Sequence, residues 1–215
     1  MFKTTLAVAT VATSALAQYT RPRYSFAECT VYPNPNYLDH PGWTPSGQIV
    51  MAQSPDKGPI WLRAKITGMP NAGTNFGFAI NTNPWDGMSC ESAGVHYNPE
   101  GTDHGPSGYV NSHVGDLPML RTNAYYEGQM FTRISKPDLS GLNSVMGRAI
   151  TIYEFGDDMG ELGFGDSLVN GNAGRPIACC NILPMNRLND PRNTFNKSND
   201  QDDRRRLSSK KARQL

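Results

Sequence analysis

The sequence predicts an all-β fold, a sandwich or barrel of short strands. Segments rich in β-branched and aromatic residues alternate with clusters of turn-forming residues, a pattern typical of such folds. The 215 residues include 21 Gly and 16 Pro, and no long stretch has helical periodicity. No repeat is visible at the periods typical of solenoids, which excludes that class. With 38% hydrophobic residues, 18% charged residues and a net charge of +1, the composition fits one globular domain with tails.

Five segments have the length and composition of strands. Residues 29–32 read as a first strand, and residues 48–53 and 60–66 as two more, joined by a hairpin-like turn at 54–59. Residues 129–134 and 149–153 complete the set.

The first seventeen residues predict a secretory signal peptide. Lys3 supplies a positive start, residues 4–14 a mildly apolar core, and Ala15-Leu16-Ala17 a small-residue cleavage site before Gln18. A transit peptide is the alternative, since the core is rich in Ala and Thr. The apolar run is too short to span a bilayer and no later run reaches eighteen apolar residues, so we expect a secreted, extracellular protein without a membrane span.

Three of the four histidines lie close together in a segment rich in Gly and Pro. His96, His104 and His113 are spaced 8 and 9 residues apart, and Asp116 follows the last by three. Three imidazoles and a carboxylate are a ligand set suited to tetrahedral Zn²⁺. Histidines that are merely scattered in a loop are the alternative. The remaining histidine, His40, lies far upstream with no motif around it.

The residues around these histidines, and further segments along the chain, form a series of sequence motifs from about residue 45 to 183. The motifs are Ile66-Thr67-Gly68 with Gly77-Phe78, the run from Cys90 to Pro99, His104-Gly105-Pro106, His113 to Leu117, Gly147 to Glu154 with Asp157 to Gly160, and Gly171 to Gly174 with Ala178-Cys179. In this order they resemble the Cu/Zn superoxide dismutase family.

This resemblance implies a Greek-key β-sandwich or barrel with long metal-binding loops, at residues 45–183. It implies zinc ligation by His96, His104, His113 and Asp116, with His96 as the residue that bridges the two metals of the family. Asp157 would orient a zinc histidine, His104, from the second layer of contacts. The alternative for Asp157 is a purely polar turn.

The copper site of the family is not matched. The His-x-His pair that follows Gly-Phe is replaced by Ala79 and Asn81, and a third copper histidine by Tyr153. One imidazole with an amide and a phenol is a poor copper site, so copper is not expected. The active-site arginine of the family falls on Pro176, with Arg175 beside it.

The four cysteines suit an exported protein. The resemblance implies a disulfide between Cys90 and Cys179. Because consecutive strand residues point to opposite faces, Cys180 does not readily share the partner of Cys179. A second bridge, Cys29–Cys180, is one interpretation, and an intermolecular bridge or free thiols are the others.

Residues 184–215 predict a disordered, basic tail, whereas residues 18–44 form an N-terminal extension that carries the first strand. The C-terminal end of the tail is rich in cations: Arg204, Arg205, Arg206, Lys210, Lys211 and Arg213. Such a cluster suits a heparin-like polysaccharide or another acidic surface, or is simply a solvated tail that is trimmed at its arginines. Asn196 begins a weak glycosylation sequon.

Two functions follow from the resemblance. The first is a secreted zinc-binding protein without dismutase activity that acts as a metal-binding, extracellular binding or structural protein. The second is an active extracellular superoxide dismutase with unorthodox copper ligation. A homodimer is the partner that the family suggests, and no nucleic-acid partner is expected.

Overall fold

The computed structural model describes residues 25–37 and 42–185. The predicted signal peptide, His40, the sequon at Asn196 and the basic cluster lie outside the described residues. Within these residues the strands are β1 Ser25–Pro33, β2 Ser46–Gln53, β3 Ile60–Thr67, β4 Asn75–Phe76, β5 Phe78–Ile80, β6 Leu120–Arg121, β7 Gly128–Ile134, β8 Ala149–Tyr153, β9 Pro176–Asn181 and β10 Leu183–Pro184. The short helices are a 3₁₀ helix at Cys90–Ala93 and α1 at Ser167–Asn170.

Eight strands form one curled antiparallel sheet in the order β5-β8-β9-β1-β2-β3-β7, with β10 paired to β1, while β4 and β6 pair separately. Strand β1 joins the two halves, since its first seven residues pair with β2 whereas Tyr32 and Pro33 pair with β9. The neighbours β9 and β1, like β3 and β7, are distant in sequence, which is typical of Greek-key connections. The predicted all-β fold is confirmed.

The two halves of the sheet differ in how they are covered. In β3, buried and exposed residues alternate strictly, so one face packs on the core and the other meets solvent. Every residue of β5 and β8 is buried. Because side chains alternate between faces, β5 and β8 must be covered on both sides, by the core and by the long loops. We call β1, β2, β3 and β7 the open half, and β5, β8 and β9 the covered half.

The five strands predicted from the sequence correspond to β1, β2, β3, β7 and β8, with bounds that differ by at most four residues at one end. The two-residue strands and α1 were not predicted, because segments this short carry no periodic pattern. Pro184, expected above to begin the tail, pairs instead with Ala27, and Met185 N–H donates to Phe26 O at 3.1 Å. The sheet therefore reaches just past the boundary expected from the sequence.

All four cysteines are paired. Cys90 on the 3₁₀ helix bonds Cys179 on β9, and Cys29 on β1 bonds Cys180. Cys29 and Cys180 lie inside the main core, so the two adjacent cysteines of β9 do point to opposite faces. The Cys29–Cys180 bridge lies within the core, whereas the Cys90–Cys179 bridge links the 3₁₀ helix to β9 of the covered half.

In residues 25–37 and 42–185, no helix combines the length and the apolar composition that crossing a bilayer requires.

Replacing Cys90 and Cys179 together by Ser should lower the free energy of unfolding by about 2–5 kcal/mol. The bridge joins residues 89 apart, and its loss frees a long stretch of the unfolded chain. Urea unfolding of the oxidised proteins measures the change. The matched comparison, Cys29→Ser with Cys180→Ser, should cost at least as much, because all four cysteines are buried and its residues lie 151 apart, so the loop that it closes is longer. A first variant as stable as the wild type would contradict this account.

Candidate metal centre

The long loop between β5 and β6 contains the four candidate ligands, and its backbone pairs with β5 and the residue that follows it. Asp116 lies opposite Ala79 in an isolated antiparallel bridge, and His96 lies opposite Asn81 in another. Directly opposite residues in such bridges have side chains on the same face. Two of the residues proposed as metal ligands are therefore fixed by backbone pairing to the outer face of the covered half.

Gly115 lets two parts of the loop approach β5 backbone to backbone. Its N–H donates to Tyr97 O at 2.8 Å, and its carbonyl accepts from Ile80 N–H at 2.8 Å. A Cβ at position 115 would lie 2.2 Å from Ile80 O, which would push the segment off the strand. This close approach explains the glycine between His113 and Asp116.

The structure brings together the four residues proposed from the sequence as zinc ligands. The Nδ1 atoms of His96, His104 and His113 lie 2.9, 3.0 and 3.1 Å from Asp116 Oδ1. One ligand atom from each residue lies within 4.8 Å of all the others, and all four residues are buried. Ligand atoms at bonds of 2.0–2.1 Å around tetrahedral zinc are separated by about 3.3 Å, close to these distances.

The second oxygen of Asp116 is held by the backbone. Asp116 Oδ2 accepts from His113 N–H at 2.8 Å and from Gly105 N–H at 3.2 Å. Burial alone would raise the pKa of Asp116, but its close contacts with the imidazoles, His104 first, outweigh burial and hold that pKa well below its usual range. The carboxylate is therefore ionised and aimed at the centre of the cluster.

His104 is oriented from behind by Asp157. Asp157 Oδ1 lies 2.8 Å from His104 Nε2, on the side of the ring away from Asp116. Burial opposes a charge on His104, but the two carboxylates outweigh it and raise its pKa to about 9. Gly171, with φ of +67°, makes room for this pair, since a Cβ there would lie 1.9 Å from Asp157 Oδ1.

Lys136 binds the backbone of the long loop just before His113. Its ammonium donates to the carbonyls of Ser112 and Val110, the latter at 2.9 Å, and to Glu100 Oε2 at 3.2 Å. Thr102 Oγ1 donates to the same Ser112 carbonyl at 2.8 Å. The residue just before His113 is thus held by two donors. Neither Lys136 nor the role of Gly171 was found from the sequence, because both act across contacts that only the fold creates.

The cluster fits zinc by its donor set and by one unpartnered atom. His113 Nδ1 is buried and makes no hydrogen bond among the described residues, although it lies 3.1 Å from Asp116 Oδ1. A buried ring nitrogen that faces the other ligand atoms and makes no hydrogen bond needs a partner, and a metal ion at the centre of the cluster would supply one. Three imidazole nitrogens and one carboxylate oxygen complete a closed tetrahedral set, as in structural zinc sites.

The position next to His96, where the family binds copper, is built differently. His96 Nε2 is buried and has no hydrogen-bond partner among the described residues. Ala79 brings no donor atom there. Asn81 Nδ2 is already engaged, donating to Gly94 O at 2.6 Å and to Tyr153 OH at 2.8 Å. Burial raises the pKa of Tyr153 to about 12, so its phenol is protonated near neutral pH. Ala79, Asn81 and Tyr153 thus offer neither imidazole nor sulfur, the ligands that copper prefers.

Arg175, the neighbour of the position where the family has its active-site arginine, is turned toward other groups. Its guanidinium lies over the ring of Tyr37, with Cζ 4.7 Å from the centroid, and its Nε is 3.8 Å from Glu154 Oε2. Tyr37 OH donates to the same Glu154 oxygen at 2.6 Å. Pro176 carries no charge, and the guanidinium of the adjacent Arg175 is engaged with Tyr37 and Glu154.

A family model described as copper/zinc superoxide dismutase matches residues 45–182. The superoxide dismutase [Cu-Zn] of Yarrowia lipolytica is 37% identical over 144 residues, 65% of this chain and 90% of the relative. That of Podospora anserina is 36% identical over 134 residues, which are 62% and 86% of the two chains. Superoxide dismutase [Cu-Zn] A of Xenopus laevis is 34% identical over 131 residues, which are 61% and 85%.

The match spans most of the described residues and nearly all of each relative, and it coincides with the curled sheet and with the histidine cluster. The chain belongs to the Cu/Zn superoxide dismutase family.

Proposed function

We propose that the protein is an exported, zinc-binding member of its family that does not dismutate superoxide. His96, His104, His113 and Asp116 hold the zinc, and Asp157 orients His104. The observation that carries this proposal is the asymmetry between the two metal positions. Four donor atoms converge on the first, whereas the second has a single imidazole nitrogen with an engaged amide and a protonated phenol.

Zinc in a closed site of this kind supplies a fixed positive charge and no redox chemistry. The residues of this chain do the rest. Asp116 draws the three histidines to one point, its backbone contacts hold the loop at β5, and Asp157 fixes the tautomer of His104. The expected role is therefore structural, holding the long loop over the covered half of the sheet so that the domain serves as a metal-binding or extracellular binding protein.

Export is supported by the cysteines. Both disulfides tie together segments that are far apart in the chain, which suits an oxidising compartment. The apolar start of the sequence supplies the signal for it, and the basic cluster at residues 204–213 supplies a further contact to an acidic surface.

The alternative is an active superoxide dismutase with an unorthodox copper site. The observation in its favour is that the relatives of this chain carry that activity in their names. It requires stoichiometric copper at a position where Ala79, Asn81 and Tyr153 stand.

Metal analysis of the secreted protein decides between these two functions. We expect one zinc, no copper, and no superoxide consumption above that of free copper after the protein has been incubated with copper and dialysed. Plasma mass spectrometry and a superoxide assay on the same sample give both quantities. Stoichiometric copper together with dismutase activity would overturn the proposal.

The variant Ala79→His with Asn81→His and Tyr153→His serves as the positive control for that experiment. It restores the imidazoles that the family pattern contains and removes the hydrogen bond between Asn81 and Tyr153. Copper uptake by this variant, with none by the wild type, would show that the assay detects a site when its ligands are present.

His113→Ala should lower zinc content and melting temperature together, because only two imidazoles and the buried carboxylate of Asp116 remain to hold the ion. Zinc that binds only the native state stabilises it by RT ln(1 + c/Kd), where c is the free zinc concentration, so a variant that binds zinc more weakly both holds less zinc and melts at a lower temperature. His40→Ala, which changes the histidine that belongs to none of the sequence motifs, is the matched control and should leave both unchanged. A His113→Ala protein that melts like the wild type in zinc would rule out this ligand.

Zinc binding should release a proton from His104. In the metal-free protein its pKa is raised to about 9, so below that pH the ring is charged, and zinc must displace the proton at Nδ1. Apparent affinity should rise about tenfold per pH unit from pH 7 and level off above about pH 9. Calorimetry in two buffers of different ionisation enthalpy counts the protons. Asp157→Asn removes one of the carboxylates that raise this pKa, so its plateau should begin at lower pH. No proton release by the wild type at pH 7.5 would contradict the assignment.

A further inference from the structure

The outward face of the open half carries an unusual set of side chains. In the paired strands, Trp61 on β3 lies opposite Arg133 on β7 and Ala52 on β2. In the next row, Arg63 lies opposite Phe131. Residues directly opposite in an antiparallel pair share a face, so these side chains form one continuous surface, which we call the open face.

Two aromatic rings form the middle of the open face. The rings of Trp61 and Phe131 stack with centroids 5.2 Å apart and planes 15° from parallel. Trp61 is 41% exposed and Phe131 is 71% exposed. The outward side of this sheet has no cover among the described residues, so the pair presents flat apolar area to solvent. Exposed aromatic area of this kind marks binding surfaces more often than it stabilises a monomer.

Cations surround the aromatic pair. Arg133 places its guanidinium carbon 5.0 Å from the centroid of Trp61, while Arg63 lies across from Phe131 and Lys65 lies two residues further along β3. The only acid in the paired rows of the open half is Glu28, and Gln48 donates to it at 3.1 Å. Within these paired rows positive charge therefore exceeds negative charge by two, with the aromatic pair between the cations, and Glu127 at the edge of the face accepts from Gln129 at 3.1 Å.

We propose that the open face binds an acidic polysaccharide of the polyuronate class. The apolar face of a pyranose ring stacks on Trp61 and Phe131, and the ring carboxylate reaches Arg63 or Arg133, whose guanidinium forks suit carboxylates. The excess of only two positive charges matches a polymer with one carboxylate per sugar better than a densely sulfated one. A neutral glycan would leave the arginines without an anion, and a second copy of the same face would bring like charges together.

This surface is separate from the metal centre. The metal ligands lie over β5 in the covered half, whereas Trp61 and Phe131 stand on β3 and β7 in the open half. The inference goes beyond the proposed zinc function, and neither depends on the other. Binding of polyuronate can therefore fail while zinc binding holds, and the reverse.

Calorimetric titration of the full-length secreted protein with polygalacturonate tests the proposal. We expect saturable binding that Trp61→Ala or Phe131→Ala weakens by about tenfold or more, as expected for a central aromatic contact. Arg63→Gln with Arg133→Gln should weaken it to a similar extent. Two matched controls should bind like the wild type: Tyr125→Ala, an exposed aromatic elsewhere, and Arg121→Gln, an exposed arginine on β6. Melting curves of each variant show that the fold is kept.

Polymer controls separate the chemistry. Fully methyl-esterified polygalacturonate keeps the sugar rings but lacks the charges, and it should bind at least about tenfold more weakly if the arginines read the carboxylates. Dextran sulfate, which the basic cluster at residues 204–213 also attracts, should bind the Trp61→Ala and Phe131→Ala variants as it binds the wild type. Equal binding of the ester, loss of dextran sulfate binding in those variants as large as the loss of polygalacturonate binding, no binding of polygalacturonate, or polygalacturonate binding unchanged in the Trp61 and Phe131 variants would each overturn the proposal. The last result would assign polyanion binding to the basic cluster at residues 204–213.

Discussion

The buried carboxylate of Asp116 is the interaction on which the rest of the site depends. An ionised carboxylate removed from water is costly unless opposite charge and hydrogen bonds replace its solvation. Here one oxygen faces three imidazoles and the other takes two backbone N–H groups. The same residue is paired through its backbone to β5, so the charge and the path of the loop are fixed together.

Two species can neutralise this carboxylate, a proton on His104 or a divalent cation at the centre of the cluster. The carboxylates of Asp116 and Asp157 raise the pKa of His104 to about 9, which favours the proton in the metal-free protein near neutral pH. A metal ion bound at His104 Nδ1 would compete with that proton, so the two carboxylates that orient the ring also set the pH dependence expected for metal binding.

Much of the fold follows from the sequence, because alternation of buried and exposed residues is visible in β3 and a hairpin turn separates it from β2. The candidate metal ligands could be proposed from spacing and residue type, since His96, His104, His113 and Asp116 lie within twenty-one consecutive positions. Gly171 and Lys136 could not, because their importance comes from contacts with residues far away in the chain. Nor does the sequence reveal that Trp61 and Phe131 stack, because this requires the register between β3 and β7.

Two of the residues at the position where the family binds copper, Asn81 and Tyr153, are hydrogen-bonded to each other. Asn81 is fully buried, and its amide bridges the Gly94 carbonyl and the Tyr153 hydroxyl, so the side chains introduced there are joined to each other and to the loop. If zinc binds Nδ1 of His96 as proposed, the ring proton must sit on Nε2, which has no acceptor among the described residues. An unpaired buried N–H costs about 1–3 kcal/mol. Zinc bound at Nδ1 would offset that cost, which accounts for a buried histidine at this position without a second metal.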